Sequence, residues 1–130
     1  MKYVVAYNGS ESSKRALSLG VERAKKDDAI VYVVYSMEGG TNETIEDIQR
    51  AEESLSAVKK DLENKGVRFE TVQLARGLAP GEDIVQYAKD NAIDHIFIGI
   101  EKKSRTRKLL LGSTAQFIIL KGTCPVTTIK

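Results

Sequence analysis

The chain is poor in the residues that staple, anchor or ligate. Its 130 residues include one cysteine, one histidine, two prolines and no tryptophan. A lone thiol, Cys124, excludes an intrachain disulfide and fits a reducing compartment. It precedes Pro125 with no base placed beside it by the sequence, so it reads as a small buried residue. A lone histidine, His95, with no cysteine or carboxylate cluster at ligand spacing, gives no case for a metal centre. It follows Asp94 at the start of an apolar run and reads as packed at a strand end. No apolar run approaches the ~20 residues that span a bilayer. The chain opens on a strand-like run, Lys2 to Tyr7, so no leader peptide is expected. A net charge of +2 provides no bulk attraction to nucleic acid or to an anionic membrane. These absences point to a soluble, cytoplasmic single domain covering residues 1–130, large enough for a core of its own.

What is present is an alternation of two periodicities. Tyr3 to Tyr7 is β-rich and stops at Asn8-Gly9-Ser10, with a serine suited to cap a helix. Glu11 to Lys26 places Ala16, Leu17, Val21 and Ala24 at helical spacing. Ile30 to Tyr35 is almost continuously apolar, as for a strand covered on both faces. After a polar loop from Met37 to Thr44, Ile45, Ile48, Ala51, Leu55, Val58 and Leu62 recur every three or four residues. That predicts an amphipathic helix ending near Asn64-Lys65-Gly66, acidic at its start and basic towards its end. Arg68 to Ala75 reads as a strand, Pro80 opens a third helix, and Ile93 to Ile98 is a fourth strand. A loop from Ile100 to Leu111 precedes a fourth helix beginning at Gly112, and Val126 to Ile129 closes the chain as a strand. The order β-α-β-α-β-α-β-α-β predicts a parallel sheet with helices on both faces. Ligands of such sheets bind outside the carboxyl ends of the strands, where strand order reverses.

Two small-residue turns fall where that crevice would lie. Gly99-Ile100-Glu101-Lys102 follows the apolar run Ile96 to Ile98, and after nine more residues comes Gly112-Ser113-Thr114 before a helix-like segment. Glycines at a strand exit and a helix entry let backbone N–H groups approach a phosphate, and the helix dipole adds to the attraction. Lys102 has two readings. A turn needing positive φ there is disfavoured by about 1 kcal/mol with a side chain. A turn in an ordinary conformation brings an ammonium towards the phosphates, with Lys103 and Arg105 behind it. The basic run Lys102 to Lys108 has no interleaved aromatic, so it lacks the stacking platform of a single-strand binder. Ser104 and Thr106 within it are candidate phosphorylation positions. No nucleophile elbow and no Walker-type loop occurs, so no catalytic residue is assigned.

The segments Val4 to Ser10, Ala92 to Gly99, and Leu111 to Gln116 with Lys121 to Val126 together resemble the universal stress protein family, in order and spacing, along the whole chain. The resemblance implies a three-layer α/β/α sandwich of the adenine-nucleotide alpha-hydrolase-like type, with five parallel strands ordered 3-2-1-4-5. It implies a stress-response protein rather than an enzyme, binding ATP or another adenine nucleotide, with Mg²⁺ brought by the nucleotide. Asn8, Val34 and Ile98 would surround base and ribose; Gly99, Lys102, Gly112, Ser113 and Thr114 would meet the phosphates. The nucleotide-binding members carry Gly-x-x-Gly, nine residues, then Gly-Ser or Gly-Thr. Here the second glycine position is Lys102 and the acidic residue after strand one is Asn8. The alternative is the same fold with a degenerate pocket, acting as a protein-interaction module. The resemblance also implies a homodimer paired through Val126 to Ile129.

Overall fold

The structure is a computed structural model, and it describes residues 1–101 and 111–130. Among the described residues five strands, β1 (Lys2–Ala6), β2 (Ile30–Met37), β3 (Arg68–Ala75), β4 (His95–Gly99) and β5 (Val126–Ile129), alternate with four α-helices, α1 (Glu11–Asp27), α2 (Ile45–Leu62), α3 (Pro80–Asp90) and α4 (Ser113–Lys121). All strand pairs are parallel and the sheet order is β3-β2-β1-β4-β5. Strand order reverses at β1, between β2 and β4, so the crevice expected of a doubly wound sheet opens above the ends of β1 and β4.

The period-two alternation of the strands divides the core into two layers. Tyr3, Val5, Val31, Val33 and Phe97 pack against Ala16, Leu17 and Val21 of α1 and Leu55, Val58 and Leu62 of α2. Val4, Ala6, Val34, Ile96 and Ile98 pack against Ile84, Val85 and Ala88 of α3 and Ala115 and Ile118 of α4. The central strands are therefore apolar on both faces, which explains their unbroken hydrophobic runs.

Element boundaries depart from the sequence reading where local chemistry intervenes. Helix α2 stops at Leu62 rather than near Lys65, because Lys65 N–H turns back to the Leu62 carbonyl at 3.1 Å. Its start is fixed by a reciprocal cap: Thr44 N–H donates to Asp47 Oδ2 at 3.0 Å and Asp47 N–H to Thr44 Oγ1 at 3.1 Å. The bond from Thr44 N–H, followed by the Thr44 hydroxyl beside it, holds the Asp47 carboxyl below the usual carboxylate range. Strand β4 begins at His95, not Ile93, since Ile93 N–H is still engaged with the Ala88 carbonyl of α3 at 3.0 Å. A short 3-10 turn, Gly40–Asn42, interrupts the loop before α2.

Candidate functional site

At the end of β1 the chain is knotted by its own hydroxyls. Tyr7 N–H extends the sheet by donating to the Val34 carbonyl at 2.9 Å. Asn8 Oδ1 then accepts from Ser10 N–H at 3.0 Å, an Asx turn that Gly9 completes with φ +82. Ser10 caps α1 by accepting from Ser13 N–H at 3.2 Å, while Ser13 Oγ donates to the Ser10 carbonyl at 2.9 Å. Ser10 Oγ and Ser12 Oγ lie 3.3 Å apart, and Ser12 and Ser13 are buried. The first turn of α1 is thus held rigidly, with its positive dipole end over the sheet.

Strand β4 passes close beneath that turn. A Cβ on Gly99 would collide with the Ser12 backbone and lie 2.7 Å from Ser12 Oγ, so only glycine allows β4 and α1 to approach as they do. Gly112, the cap of α4, has an ordinary φ of −64 and no side-chain capping bond. Among the described residues nothing lies within 4 Å of a Cβ built there. Gln116 N–H closes the first turn of α4 on the Gly112 carbonyl at 3.0 Å, leaving the preceding amides at the helix mouth.

Between these elements lies a cavity of about 250 Å³. The starts of α1 and α4 both form its walls, through Ser10, Ser12, Ser13 and through Gly112, Ser113, Thr114. Two helix N-termini lined with hydroxyls give a site for an anion, by dipole and by donor supply. Of the residues singled out from the sequence, Asn8, Ile98, Gly99, Gly112, Ser113 and Thr114 are brought together here. Val34 is not among the walls: it is fully buried in the layer below α3, with its carbonyl engaged by Tyr7. Lys102 lies outside the described residues.

The walls include residues that sequence reasoning left aside. Ser36 follows Val34 by two positions and so shares its face of β2, and Pro80 and Ile84 come from α3. Ser12 and Ser13 carry a signal, the serine cluster at the helix start; the α3 residues carry none, because their approach is set by non-local packing. Behind Ser36 lies Asp83, wholly buried, whose Oδ1 accepts from Arg76 Nε at 2.7 Å and pairs with Arg76 Nη2. Ser36 Oγ donates to Asp83 Oδ2 at 3.2 Å.

A larger cavity, about 490 Å³, runs between α1 and α2. Its floor is Leu17, Val21, Val58 and Leu62 and its rim carries Lys14, Lys25 and Lys65. It shares Tyr7 with the smaller cavity, but its lining includes neither a glycine turn nor a helix start. Volume alone therefore does not mark a candidate site; the smaller cavity is the one with glycine turns and helix starts in its walls.

The model of the universal stress protein family matches residues 1–130. The chain belongs to that family. It is 32% identical over 140 aligned residues to universal stress protein MJ0531 of Methanocaldococcus jannaschii, covering 99% of this chain and 81% of that one. Among solved structures, the universal stress protein from Archaeoglobus fulgidus superimposes with a TM-score of 0.90 at 38% identity, covering 99% of this chain and 97% of the other. A structure of the universal stress protein from Archaeoglobus fulgidus in complex with dAMP gives a TM-score of 0.83 at 34% identity, with 99% and 96% covered. The three-layer sandwich and its strand order are those of this universal stress protein family.

Proposed function

We propose that this universal stress protein binds an adenine nucleotide in the cavity above β1 and β4 and acts in stress response or signalling, without turning over a metabolite. The observation that carries the reading is the convergence of two helix starts on one hydroxyl-lined cavity at the strand-order reversal. The dAMP complex of the Archaeoglobus fulgidus relative supports the choice of ligand class. The phosphate would sit against Gly112, Ser113 and Thr114, with Gly99 beneath it and Ile98 against the sugar or base. Asn8 Oδ1 accepts from Ser10 N–H, and its Nδ2 would donate to a ribose oxygen. Val34 would contribute by fixing the end of β1. Lys102 would add an ammonium near further phosphates, and Mg²⁺ would come only with a di- or triphosphate such as ATP.

The two sheet edges differ in a way that supports a homodimer. Edge strand β3 carries Arg68 and Glu70, charges that discourage strand addition, whereas β5, Val126-Thr127-Thr128-Ile129, carries none. Pairing through β5 in the cytoplasm is the assembly this edge favours. Sedimentation showing only monomer at micromolar concentration would contradict it.

Thermal unfolding in the presence of AMP, ADP and ATP, with and without Mg²⁺, tests the nucleotide reading. A saturable rise is expected, since a ligand at about 100 times its Kd stabilises the folded state by about 2.7 kcal/mol. No shift at millimolar nucleotide would overturn it and leave a protein-interaction module of the same fold.

A further inference from the structure

If the helix starts of α1 and α4 receive the phosphate, the base must lie along the remaining wall. That wall includes Asn8 after β1 and Ile98 of β4 and, on its β2–α3 side, Ser36 at the end of β2 with Pro80 and Ile84 of α3. The two α3 side chains offer an apolar surface to a purine ring. Ser36 is the polar group on that side, and its hydrogen-bonding sense is fixed from behind.

The fixing group is Asp83, which is 0% exposed. Its Oδ1 accepts from Arg76 Nε at 2.7 Å, and Arg76 Nη2 reaches the Asp83 main-chain carbonyl at 3.4 Å. A carboxylate paired with a guanidinium has only lone pairs to offer a hydroxyl. Ser36 has a single proton, and it is committed to Asp83 Oδ2 at 3.2 Å. What Ser36 can turn towards the cavity is therefore an acceptor. Among the described residues no donor is bonded to Ser36 Oγ.

We propose that Ser36 selects the base: its lone pairs accept from the exocyclic amino group at C6 of adenine and disfavour a 6-oxo purine, whose carbonyl would oppose them. Asp83 is the positioning residue that sets this polarity, and Arg76 holds Asp83. The assignment rests on the nucleotide reading above and adds to it a reason for adenine over hypoxanthine or guanine.

Calorimetric titration with AMP, IMP and purine riboside 5′-monophosphate tests it. The wild-type protein is expected to prefer AMP over IMP by about tenfold, the scale of one neutral hydrogen bond gained against one acceptor left opposed, with the unsubstituted purine between them. Ser36→Ala should weaken AMP about fivefold and bring the AMP-to-IMP ratio within about twofold. Ser36→Thr keeps the hydroxyl and should keep the ratio. Asp83→Asn presents an amide N–H to Ser36, releases the serine proton towards the cavity, and should move the preference towards IMP. Unfolding midpoints identify any variant that fails to fold, and Ser36→Ala, which leaves the Arg76–Asp83 pair intact, decides the matter alone. Equal binding of AMP and IMP by the wild-type protein, or an unchanged ratio in Ser36→Ala, overturns the assignment while the nucleotide site stands. Failure of all three ligands to bind the wild-type protein overturns both.

Discussion

The two ends of the parallel sheet solve opposite problems with similar residues. At the amino end, polar groups are closed off within the chain. Tyr3 Oη donates to the Asp27 carboxylate, Lys2 N–H donates to Asp94 Oδ2 at 2.8 Å, and His95 Nε2 bonds Thr127 Oγ1 at 2.6 Å. The rings of His95 and Phe97 stack with centroids 4.5 Å apart, and Tyr3 meets His95 edge-on. At the carboxyl end the hydroxyls of Ser10 and Ser12 meet and that of Ser13 donates to the Ser10 carbonyl, yet all three residues line a cavity. The difference lies in the helices. Helix C-termini and aromatic rings fill the amino end, whereas two helix starts face the carboxyl end and favour negative charge, which among the described residues lining the cavity only Glu101 supplies. A site is marked less by polarity than by polarity that the chain leaves uncompensated.

The largest expected effect separates the two glycines of the carboxyl end. Gly99 has a reason internal to the chain, since a methyl there would drive into the Ser12 backbone. Gly99→Ala should force β4 and α1 apart and cost about 2 kcal/mol, in the range of overpacked cores. Differential scanning calorimetry should show the midpoint lowered by roughly 5–10 °C for a domain of this size. A fall of less than about 1 °C would mean that the first turn of α1 is softer than its hydrogen bonds imply.

That glycine also shows how far the sequence could be read. The fold was legible because β1, β2 and β4 carry nearly unbroken apolar runs and α2 is periodic over eighteen residues, so the alternation was visible without tertiary knowledge. Gly99, Gly112 and Asn8 were legible as a group because turn chemistry is local. The sequence suggested that Gly99 exists for a ligand, while the structure adds a packing reason. Ser36, Asp83 and Arg76 were not legible at all. Their meeting depends on α3 crossing the end of β2, and a buried acid in the first turn of a helix looks in sequence like ordinary dipole chemistry. The family resemblance implies a place for Val34 beside the ligand, but β2 continues to Met37, and the face of Val34 reaches the cavity only two residues later.

A smaller effect probes the amino end. Burial, aided by the nearby Arg23, pushes the His95 imidazole below its ordinary value of about 6.5, and Asp27 only partly opposes this. The unfolded chain then takes up its proton first as pH falls. Stability from this group is complete above about pH 6.5 and is lost as pH drops through the lowered value. Comparing wild type with His95→Gln, the wild-type midpoint should fall further between pH 7.5 and pH 5, by a difference of a few degrees at most. Parallel curves for the two proteins would show that the ring cluster with Tyr3 and Phe97 leaves the imidazole as hydrated as in the unfolded chain.

The smallest effect on stability should accompany a large one on binding. Gly112 has φ −64 and ψ 160, values that a serine cap adopts without strain, and no described residue opposes a side chain there. Gly112→Ser should leave the midpoint unchanged or raise it slightly, because serine caps a helix better than glycine by a few tenths of a kcal/mol. If a phosphate approaches the α4 amides, the same side chain stands in its path, and AMP affinity should fall by about tenfold, the loss of one charge-assisted contact. Intact binding in a stable Gly112→Ser protein would move the phosphate away from α4. A loss of stability comparable to that of Gly99→Ala would instead show that Gly112, too, is held by the chain, and the distinction between the two glycines would collapse. Only the combination of full stability and weakened binding makes Gly112 a residue kept small for something other than its own fold.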